Sequence, residues 1–452
     1  MRRVAPVVAV LAALCAPTGA GAQGATGGDL CLTDPVWPAS AAPQPVRFGI
    51  TPQAAGSAGL VQQEGAPRDE AALDRALTDL RPPGKALVVR LNRLFSGDGE
   101  AGIARFAQLA DRYAALGLGV EVQVRYHPTP EQEGDQETWE RFVRRAAEIL
   151  GRRRALVALS IVNEPNLPIS PNTSDGVYEG VREAIVRGVV AARAGLDAVG
   201  RRDVQLGFTF AWRWLPQADR SFWQEVGARA TPAFRAALDY VGLQVYPGLV
   251  WPPAPLPGRT AGEELAEAAA LVRTCFMPQA GLGRDIDLWI SENGYATNLG
   301  RTEASQQADT RSTLAALRES SGTLGITDYR WFNLRDNDSD GTDLFSAVGL
   351  LRDDHSRKPA FGAIRDAIAA FGAAAPPAAA PLGGVCAGSR ALPRGRWRSA
   401  RTTAPGGTAR IAGRRLRVRI ALRRPAPQRR IGVLLRPVAG GPARRVRVVV
   451  RC

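Results

Sequence analysis

The chain has 452 residues, of which 45% are hydrophobic and 22% are charged, and its formal net charge is +15. This length can hold one large α/β barrel and one small extra domain. Only two histidines are present, and no cysteine has the spacing of a metal ligand, so we expect no metal centre.

The first 22 residues have the pattern of a secretory signal peptide. Arg2 and Arg3 form its charged region, Val4–Cys15 its apolar region, and Ala20–Ala22 a small-residue cleavage site. The apolar region is too short, and too interrupted by proline, to span a membrane. We therefore predict a secreted or cell-envelope-associated protein, with an uncleaved lipoprotein or membrane anchor as the alternative.

The remaining cysteines are even in number, and an exported chain can join them in two disulfide bonds. Of the three pairings we favour Cys386–Cys452, which would close the C-terminal region at both ends, together with Cys31–Cys275. Buried free thiols are the alternative.

Short apolar runs alternate with amphipathic stretches along most of the chain. The predicted strands are Val46–Ile50, Ala86–Leu91, Val120–Tyr126, Val157–Val162, Val204–Phe210, Val241–Val245, Asp287–Ile290 and Asp328–Phe332. The predicted helices include Asp69–Leu80, Ala104–Leu116, Trp139–Leu150, Val181–Val199, Ala261–Val272, Ser305–Arg318 and Ala360–Phe371. This alternation predicts a closed parallel (β/α)8 barrel, or TIM barrel, over residues 23–371.

Two glutamates follow predicted strands. Glu164 stands in Asn163-Glu164-Pro165-Asn166, after the fourth strand, and Glu292 in Ile290-Ser291-Glu292-Asn293-Gly294, after the seventh. In such barrels the chemistry lies on the loops that follow the strands. Two carboxyl groups placed there are what retaining glycosidic cleavage needs, since one protonates the leaving oxygen while the other attacks the anomeric carbon. The alternative is that both are salt-bridge partners.

The C-terminal part has a different composition. Residues 372–385 are rich in Ala, Pro and Gly and predict a linker. Residues 386–452 contain 19 Arg and no Asp, Glu or Lys, so residues 1–385 carry a net charge of −4. Alternating runs such as Leu416–Leu422 and Arg445–Val448 predict a small all-β accessory domain with an Arg-rich face.

The Arg-rich face has two open interpretations. A bias in codon composition explains Arg in place of Lys, but it does not explain the absence of acids. We therefore weigh binding to an anionic cell-surface polymer or to membrane headgroups against a basic module that is merely soluble. We expect no nucleic-acid partner for an exported chain, and we expect a monomer.

From Arg47 to Phe371 the chain resembles the clan A glycoside hydrolases, most closely the family 5 (cellulase-like) type. The resemblance implies that Glu164 is the acid/base and Glu292 the nucleophile. It also implies substrate-binding roles for five further residues, Arg90, His127, Asn163, Tyr246 and Trp331. Arg90 and Tyr246 would contact the nucleophile, Asn163 the sugar 2-hydroxyl, and His127 and Trp331 would line the sugar subsite. One position departs from the family pattern, because Gln244 stands where many members have His.

The implied roles agree with the charges that the reaction needs. A cationic Arg90 and a donor hydroxyl on Tyr246 would keep Glu292 ionised, while burial and the nearby Glu292 would keep Glu164 protonated. The retaining geometry requires carboxyl groups about 5–5.5 Å apart. The alternatives are that Arg90 pairs with a barrel acid, that His127 is structural, and that Tyr246 and Trp331 only pack.

Other motifs have weaker interpretations. Trp212 and Trp214 could stack on sugars or simply cover the barrel, and strand alternation predicts that Trp289 faces the helices. Asp336–Gly341 opens like a calcium loop, but Ala347 stands where a bidentate Glu is expected, so we predict a polar loop.

The sequence as a whole therefore predicts a secreted retaining glycosidase that needs no cofactor and acts on a β-linked glycan or glycoside. A non-catalytic glycan-binding barrel and a transglycosylase are the alternatives.

Overall fold

The computed structural model describes two compact units, which divide between Ala374 and Ala375. In the first unit the described residues are 35–52, 65–213 and 215–374. In the second they are 375, 385–393, 397–402, 407–412, 415–421, 428–438 and 442–451. The predicted signal peptide, Cys31, Trp214, residues 376–384 of the predicted linker, and Cys452 lie outside these ranges.

The first unit is a closed barrel of eight parallel strands within the described residues. The strands are β1 (Arg47–Ile50), β2 (Leu87–Phe95), β3 (Gly119–Arg125), β4 (Leu156–Ile161), β5 (Gln205–Ala211), β6 (Tyr240–Gln244), β7 (Asp287–Asn293) and β8 (Ile326–Trp331). They follow one another around the barrel in chain order, and β1 pairs with both β2 and β8. The predicted TIM barrel is confirmed.

Helices connect the strands and cover the barrel. They are α1 (Glu70–Leu80), α2 (Gly99–Ala115), α3 (Gln136–Gly151), α4 (Val181–Ala198), α5 (Pro216–Arg229), α6 (Pro232–Ala237), α7 (Ala261–Leu271), α8 (Glu303–Leu324) and α9 (Pro359–Phe371). Their ends follow local signals: Asp69 caps α1, Thr260 and Glu263 form a capping box at α7, and Gly325 ends α8 with a φ of 65°. None of the described helices is long and apolar enough to cross a membrane.

Helices α5 and α6 were not predicted. Their sequences offer weak apolar periodicity, and the clearest local signal is a proline at the start of each, Pro216 and Pro232. Tertiary packing stabilises both helices, because Phe222, Trp223 and Phe234 are buried against the outer face of β5.

The barrel interior is charged, and its charges form a continuous chain. Arg330 on β8 donates to Asp328 at 2.7 Å and to Glu121 on β3 at 2.8 Å. Glu121 also accepts from Nε of Arg90 on β2 at 3.2 Å, and Nη1 of Arg90 donates to Glu292. All five side chains are buried. We call these residues the interior ion chain; it links the barrel interior to Glu292.

Trp289 lies inside the barrel, so the prediction that it faces the helices is wrong. Its ring stacks on Tyr240 with centroids 3.5 Å apart, and the guanidinium groups of Arg47 and Arg330 lie 5.2 and 5.1 Å from its centroid. The register of β7 against β8 shifts between Ile290 and Asn293, which breaks the strict alternation on which the prediction depended.

The second unit is a six-stranded antiparallel sheet within the described residues, and it confirms the predicted β domain. Its strands are β9 (Val385–Ala391), β10 (Trp397–Thr402), β11 (Gly407–Ala412), β12 (Arg415–Ala421), β13 (Gln428–Pro437) and β14 (Arg444–Arg451), in the order β10-β13-β14-β9-β12-β11. Its apolar core is formed by Leu416, Val418, Val433, Leu435, Val446 and Val448. The arginines next to these core residues whose exposure the structure describes are exposed: Arg415, Arg417, Arg436, Arg445 and Arg447.

The start of the predicted linker belongs to the barrel unit. Gly372 forms a parallel bridge with Val46, and Ala374 an antiparallel bridge with Lys85. These backbone contacts attach the residues that follow α9 to the barrel. The boundary between the units therefore falls after Ala374 rather than after Phe371.

Candidate active site

Glu164 is presented by an unusual stretch of backbone directly after β4. Val162 and Glu164 both have left-handed conformations, with φ of 61° and 46°. The Glu164 N–H donates to Oγ1 of Thr209 at 3.0 Å. Left-handed backbone at non-glycine residues costs free energy and concentrates at functional sites. This turn therefore sets the direction in which Glu164 leaves the backbone.

Glu292 lies near the end of β7 and is surrounded by donors. Its Oε1 accepts from Nη1 of Arg90 and from Nε2 of Gln244, the latter at 2.9 Å. Its Oε2 accepts from the Tyr246 hydroxyl at 2.7 Å. Three donors, one of them permanently charged, favour the ionised carboxylate. Arg90 therefore makes both of the contacts considered for it: it donates to Glu292, and it also pairs with the barrel acid Glu121.

The two carboxyl groups differ in protonation. Burial, together with the neighbouring Glu292 carboxylate, raises the pKa of Glu164 to about 8. Burial also raises the pKa of Tyr246, which therefore keeps its proton and donates it in a hydrogen bond to Glu292. Burial by itself would lower the pKa of Arg90, but Glu292 and Glu121 outweigh it and raise that pKa. The site thus holds one carboxyl group that keeps its proton near neutral pH, Glu164, beside a second one that accepts three hydrogen bonds, Glu292.

Asn163 is fixed by neighbours on β3 and β6 and in the segment that follows β4. Its Oδ1 accepts from Gln123 at 2.6 Å and from Gln244 at 2.8 Å, and its Nδ2 donates to the Thr173 carbonyl at 2.8 Å. Its N–H donates to Asp175 at 2.8 Å. Gln244, the departure from the family pattern, therefore joins Asn163 to Glu292 through a single amide nitrogen.

Both glutamates open into one cavity of about 530 Å³, open solvent included. The described residues that line it are Asn92, Arg93, Gln123, Arg125, Asn163, Glu164, Asn172, Thr173, Tyr246, Glu292, Phe332 and Phe345. Most come from the carboxyl ends of strands β2 to β8 or from the residues just after them. This is the face on which barrel enzymes carry their chemistry.

His127 is not among the described residues that line this cavity. Its ring packs between Phe95, with centroids 4.3 Å apart, and Tyr178, with centroids 5.5 Å apart. Its N–H donates to Ser96 at 3.1 Å, and its carbonyl accepts from Gly97 at 3.0 Å. These contacts tie His127 to the end of β2, and its substrate-binding role stays a prediction.

Trp331 is also absent from the lining that the structure describes. It is fully buried and packs on Tyr295, with ring centroids 6.0 Å apart. Phe332, the next residue, lines the cavity instead. Successive side chains leave a strand on opposite faces, so a shift of one residue exchanges the aromatic that packs for the one that faces the cavity.

Two further sequence features have structural roles. Trp212 is buried, and its ring packs on Phe276 with centroids 6.3 Å apart, so it covers the barrel. Asp336 pairs with Lys358 at 2.7 Å and accepts from Ser339 and from the Gly349 N–H. The loop that begins at Asp336 is thus the predicted polar loop, held by protein partners.

The sequence interpretation missed several residues of the site. Gln123 holds Asn163, Arg93 and Asn92 line the cavity, and Asp175 binds the N–H groups of Asn163 and Tyr126. Asp175 carried no motif, since it stands in an irregular segment after β4. Arg93 lies in the last part of β2. In the sequence only the neighbouring Asn92 indicated that the apolar pattern of this strand ends early.

Comparison with known proteins gives a fold and leaves the activity to be argued from the site. No protein-family model matches the chain, and no curated protein matches it. Among solved structures, a family 39 glycoside hydrolase from Bacteroides cellulosilyticus WH2 is similar at 11% identity over 90% of this chain and 81% of its own, with a TM-score of 0.50. A GH5_18 protein from Bifidobacterium longum subsp. longum ATCC 55813, in complex with Manb1-4GlcNAc, is similar at 14% identity over 73% of this chain and 80% of its own, also with a TM-score of 0.50. At these identities the likeness shows a shared barrel fold.

Proposed function

We propose that this protein is a retaining glycoside hydrolase that cleaves O-glycosidic bonds of a β-linked glycan or glycoside. One observation carries the proposal: Glu164 and Glu292 line the same cavity, where Glu292 accepts from three donors and burial raises the pKa of Glu164. A carboxyl group that keeps its proton beside one surrounded by donors is the arrangement of an acid and a nucleophile. The barrel shared with glycoside hydrolases, one of them in complex with a disaccharide, supports the same reaction class.

In the proposed first step a carboxylate oxygen of Glu292 attacks the anomeric carbon while Glu164 gives its proton to the leaving oxygen. The negative charge of Glu292 is then consumed in a glycosyl ester, which removes one cause of the raised pKa of Glu164. Glu164 can therefore act as a base in the second step, when it takes a proton from the water that hydrolyses the ester.

The nucleophile is tested by Glu292→Gly. This variant should lose turnover of an activated aryl β-glycoside, and azide should restore it, with a glycosyl azide of inverted configuration as the product. Glu137→Gly, an exposed position on α3, is the matched control and should behave like the wild type. Wild-type activity in the Glu292→Gly variant would falsify the assignment.

The acid/base is tested by Glu164→Ala with two leaving groups. A substrate with a poor leaving group needs protonation, so its kcat should fall by about 10²–10⁴-fold, while an activated substrate should lose much less. An equal loss on both would mean that Glu164 has another role. Product analysis in the presence of sugar acceptors separates hydrolysis from transglycosylation, and glycan binding without turnover would support a non-catalytic barrel.

We also propose export and two disulfide bonds. Cys275 is buried, in a π-helical segment that continues α7. Arg451, which precedes Cys452, pairs in antiparallel register with Ala387, which follows Cys386. Non-reducing peptide mapping of exported protein tests Cys386–Cys452 and Cys31–Cys275 together.

For the second unit we propose binding to an anionic polymer or headgroup at the cell surface. Exposed arginines follow one face of its sheet, Arg415 and Arg417 on β12 and Arg445 and Arg447 on β14. Arg410 on β11 stands directly opposite Arg417 and is also exposed. Like charges directly opposite each other destabilise a sheet, and an anion between them removes that cost.

A further inference from the structure

Arg93 brings a positive charge into the cavity and has no counterion among the described residues. Its side chain is exposed and lines the cavity. The two other guanidinium groups near the glutamates are both paired: Arg90 binds Glu121 and Glu292, and Arg125 binds Asp175 at 2.7 Å. Arg93 thus differs from its neighbours in being available to a ligand.

The backbone directs Arg93 toward the cavity. Its φ is 71°, a left-handed conformation that is unfavourable for a residue with a long side chain. The register of β2 against β3 shifts between Leu91 and Leu94, so Asn92 and Arg93 form a bulge at the end of the strand. Bulges of this kind re-aim a side chain beside active sites, and strained backbone persists where function requires it.

The charges already in the cavity do not need Arg93. Glu164 is held in its protonated form, and Glu292 has Arg90, Gln244 and Tyr246 as donors. Partial loss of water inside the cavity, and then the guanidinium of Arg125, lower the pKa of Arg93 although the residue keeps an exposed surface. An anion bound there would therefore stabilise the charged form of Arg93. Beside it Asn92 also lines the cavity, so a sugar held by Arg93 would lie against Asn92.

We propose that Arg93 binds an anionic group, a carboxylate or a sulfate ester, on a sugar of the substrate, and that this sugar lies against Asn92. A guanidinium presents donors in a planar fork that matches two oxygens of such a group. The preferred substrate class is then an acidic glycan, built from uronic acid or sulfated sugars. This inference rests on the proposed glycosidase function and narrows it.

Matched pairs of nitrophenyl β-glycosides test the proposal in the full-length protein. Glucuronide against glucoside and galacturonide against galactoside test for a carboxylate, and the 6-sulfated against the plain N-acetylglucosaminide tests for a sulfate. We expect kcat/KM to favour the acidic member of at least one pair by about 10-fold or more, as for a hydrogen bond between charged groups. Arg93→Gln should remove about 10- to 100-fold from that acidic substrate and leave its neutral partner nearly unchanged.

Two controls accompany this variant. Arg93→Lys should retain part of the preference, since it keeps the charge but not the fork. Arg105→Gln, an exposed arginine that pairs with Asp98 on the barrel surface, should change neither substrate. A preference for the neutral member of every pair would overturn the proposal, and so would an equal loss on acidic and neutral substrates, because Arg93 would then act on Glu292.

Binding separates this inference from the proposed reaction. Calorimetry with free glucuronate, galacturonate and 6-sulfated N-acetylglucosamine, each against its neutral counterpart, should show tighter binding of an acidic sugar to the wild type, and Arg93→Gln should abolish the difference. Such binding without Glu292-dependent turnover would overturn the glycosidase and keep the role of Arg93. Turnover with no difference in binding and no preference in kcat/KM would overturn only the role of Arg93.

Discussion

At the scale of single residues, the site is built from what surrounds each carboxyl group. Glu292 accepts hydrogen bonds from Arg90, Gln244 and Tyr246. Glu164, in contrast, is buried and lies near the carboxyl group of Glu292, and both factors raise its pKa. Two identical side chains thereby stand in opposite environments. The electrostatics of the site therefore follow from which donors reach which oxygen.

The pKa of Glu164 predicts the alkaline limb of activity. Because this carboxyl group must carry a proton to act as an acid, kcat/KM for a substrate with a poor leaving group should fall as the pH rises through about 8. Glu164→Gln should remove this limb from the much lower residual activity. A wild-type profile that stays level across this range, measured as kcat/KM against pH, would contradict the assignment.

The same pKa shift predicts how stability depends on pH. An unfolded Glu ionises near 4.5, while the folded Glu164 keeps its proton until the pH reaches about 8. Between these values the folded protein binds one more proton than the unfolded chain, so the free energy of unfolding falls as the pH rises across this window. Glu164→Gln lacks this proton, so its Tm should gain on the wild type from pH 4.5 to 8, and a constant difference in Tm would refute the linkage.

At the scale of elements, glycine allows two strand ends to approach closely at the cavity floor. A Cβ added to Gly294, just after β7, would lie 2.2 Å from the carbonyl oxygen of Phe332, just after β8. The backbone of Phe332 cannot move away from this Cβ as easily as a flexible side chain could. The glycine in the Ile290–Gly294 motif is therefore explained by the position of Phe332, which lines the cavity.

Gly294→Ala should destabilise the protein and impair the site. We expect a loss of about 1–3 kcal/mol in the free energy of unfolding, as for other overpacked positions, and a lower kcat/KM. Gly362→Ala in α9 is the matched control, because an added Cβ there meets nothing within 4 Å, and it should stabilise by up to about 1 kcal/mol. Denaturant unfolding of both variants measures the contrast, and equal stability of the two would count against this explanation.

The interior ion chain predicts a second effect at this scale. Glu121 is fully buried and bridges Arg90 to Arg330, so Glu121→Leu would leave two buried cations without their common partner. Breaking a buried ion pair on one side costs about 3–5 kcal/mol. Activity should also fall, since Arg90 would lose the partner that fixes its position against Glu292.

Urea unfolding and kcat/KM of the Glu121→Leu variant test this together. Glu137→Leu is the control, because Glu137 is exposed and lies 3.9 Å from Arg141, and exposed pairs contribute at most about 1 kcal/mol. A Glu121→Leu variant as stable and as active as this control would show that the ion chain neither supports the barrel nor positions Arg90.

At the scale of the whole molecule, charge is divided between the two units. Residues 386–452 hold 19 Arg and no acidic residue, while residues 1–385 carry a net charge of −4. The cavity and both glutamates belong to the first unit, and the exposed arginines of β11, β12 and β14 to the second. Catalysis and surface binding are therefore expected to respond to different substitutions.

Replacing Arg410, Arg417, Arg445 and Arg447 by Gln in the full chain should abolish salt-sensitive retention on anionic vesicles and on an anionic polysaccharide resin. Exposed charges are screened within about 8–10 Å at ordinary ionic strength, so the wild type should be retained at low salt and released at high salt. Turnover of small glycosides should not change. A fourfold Gln variant at the exposed barrel arginines 105, 141, 145 and 202 is the control and should be retained like the wild type. Equal retention of both variants would mean that these arginines do not bind the anionic surface and that the high Arg content reflects composition alone.

The sequence by itself determined the barrel, the second β unit and the positions of Glu164, Glu292, Arg90, Asn163 and Tyr246 on it. These features depend on local patterns, since apolar periodicity marks each strand and a polar residue directly after a strand must lie at its carboxyl end. The observed strand bounds differ from the predicted ones by a few residues at most.

Only the tertiary structure decided which neighbouring residue faces the cavity. Phe332 and not Trp331 lines it, His127 packs away from it, and Trp289 points into the barrel. The position of Trp289 depends on a shift of register, and one residue of shift turns every following side chain to the other face. The sequence does not show such shifts, because they are set by how adjacent strands pair. For the same reason it did not reveal Arg93, which a bulge in β2 turns toward the cavity.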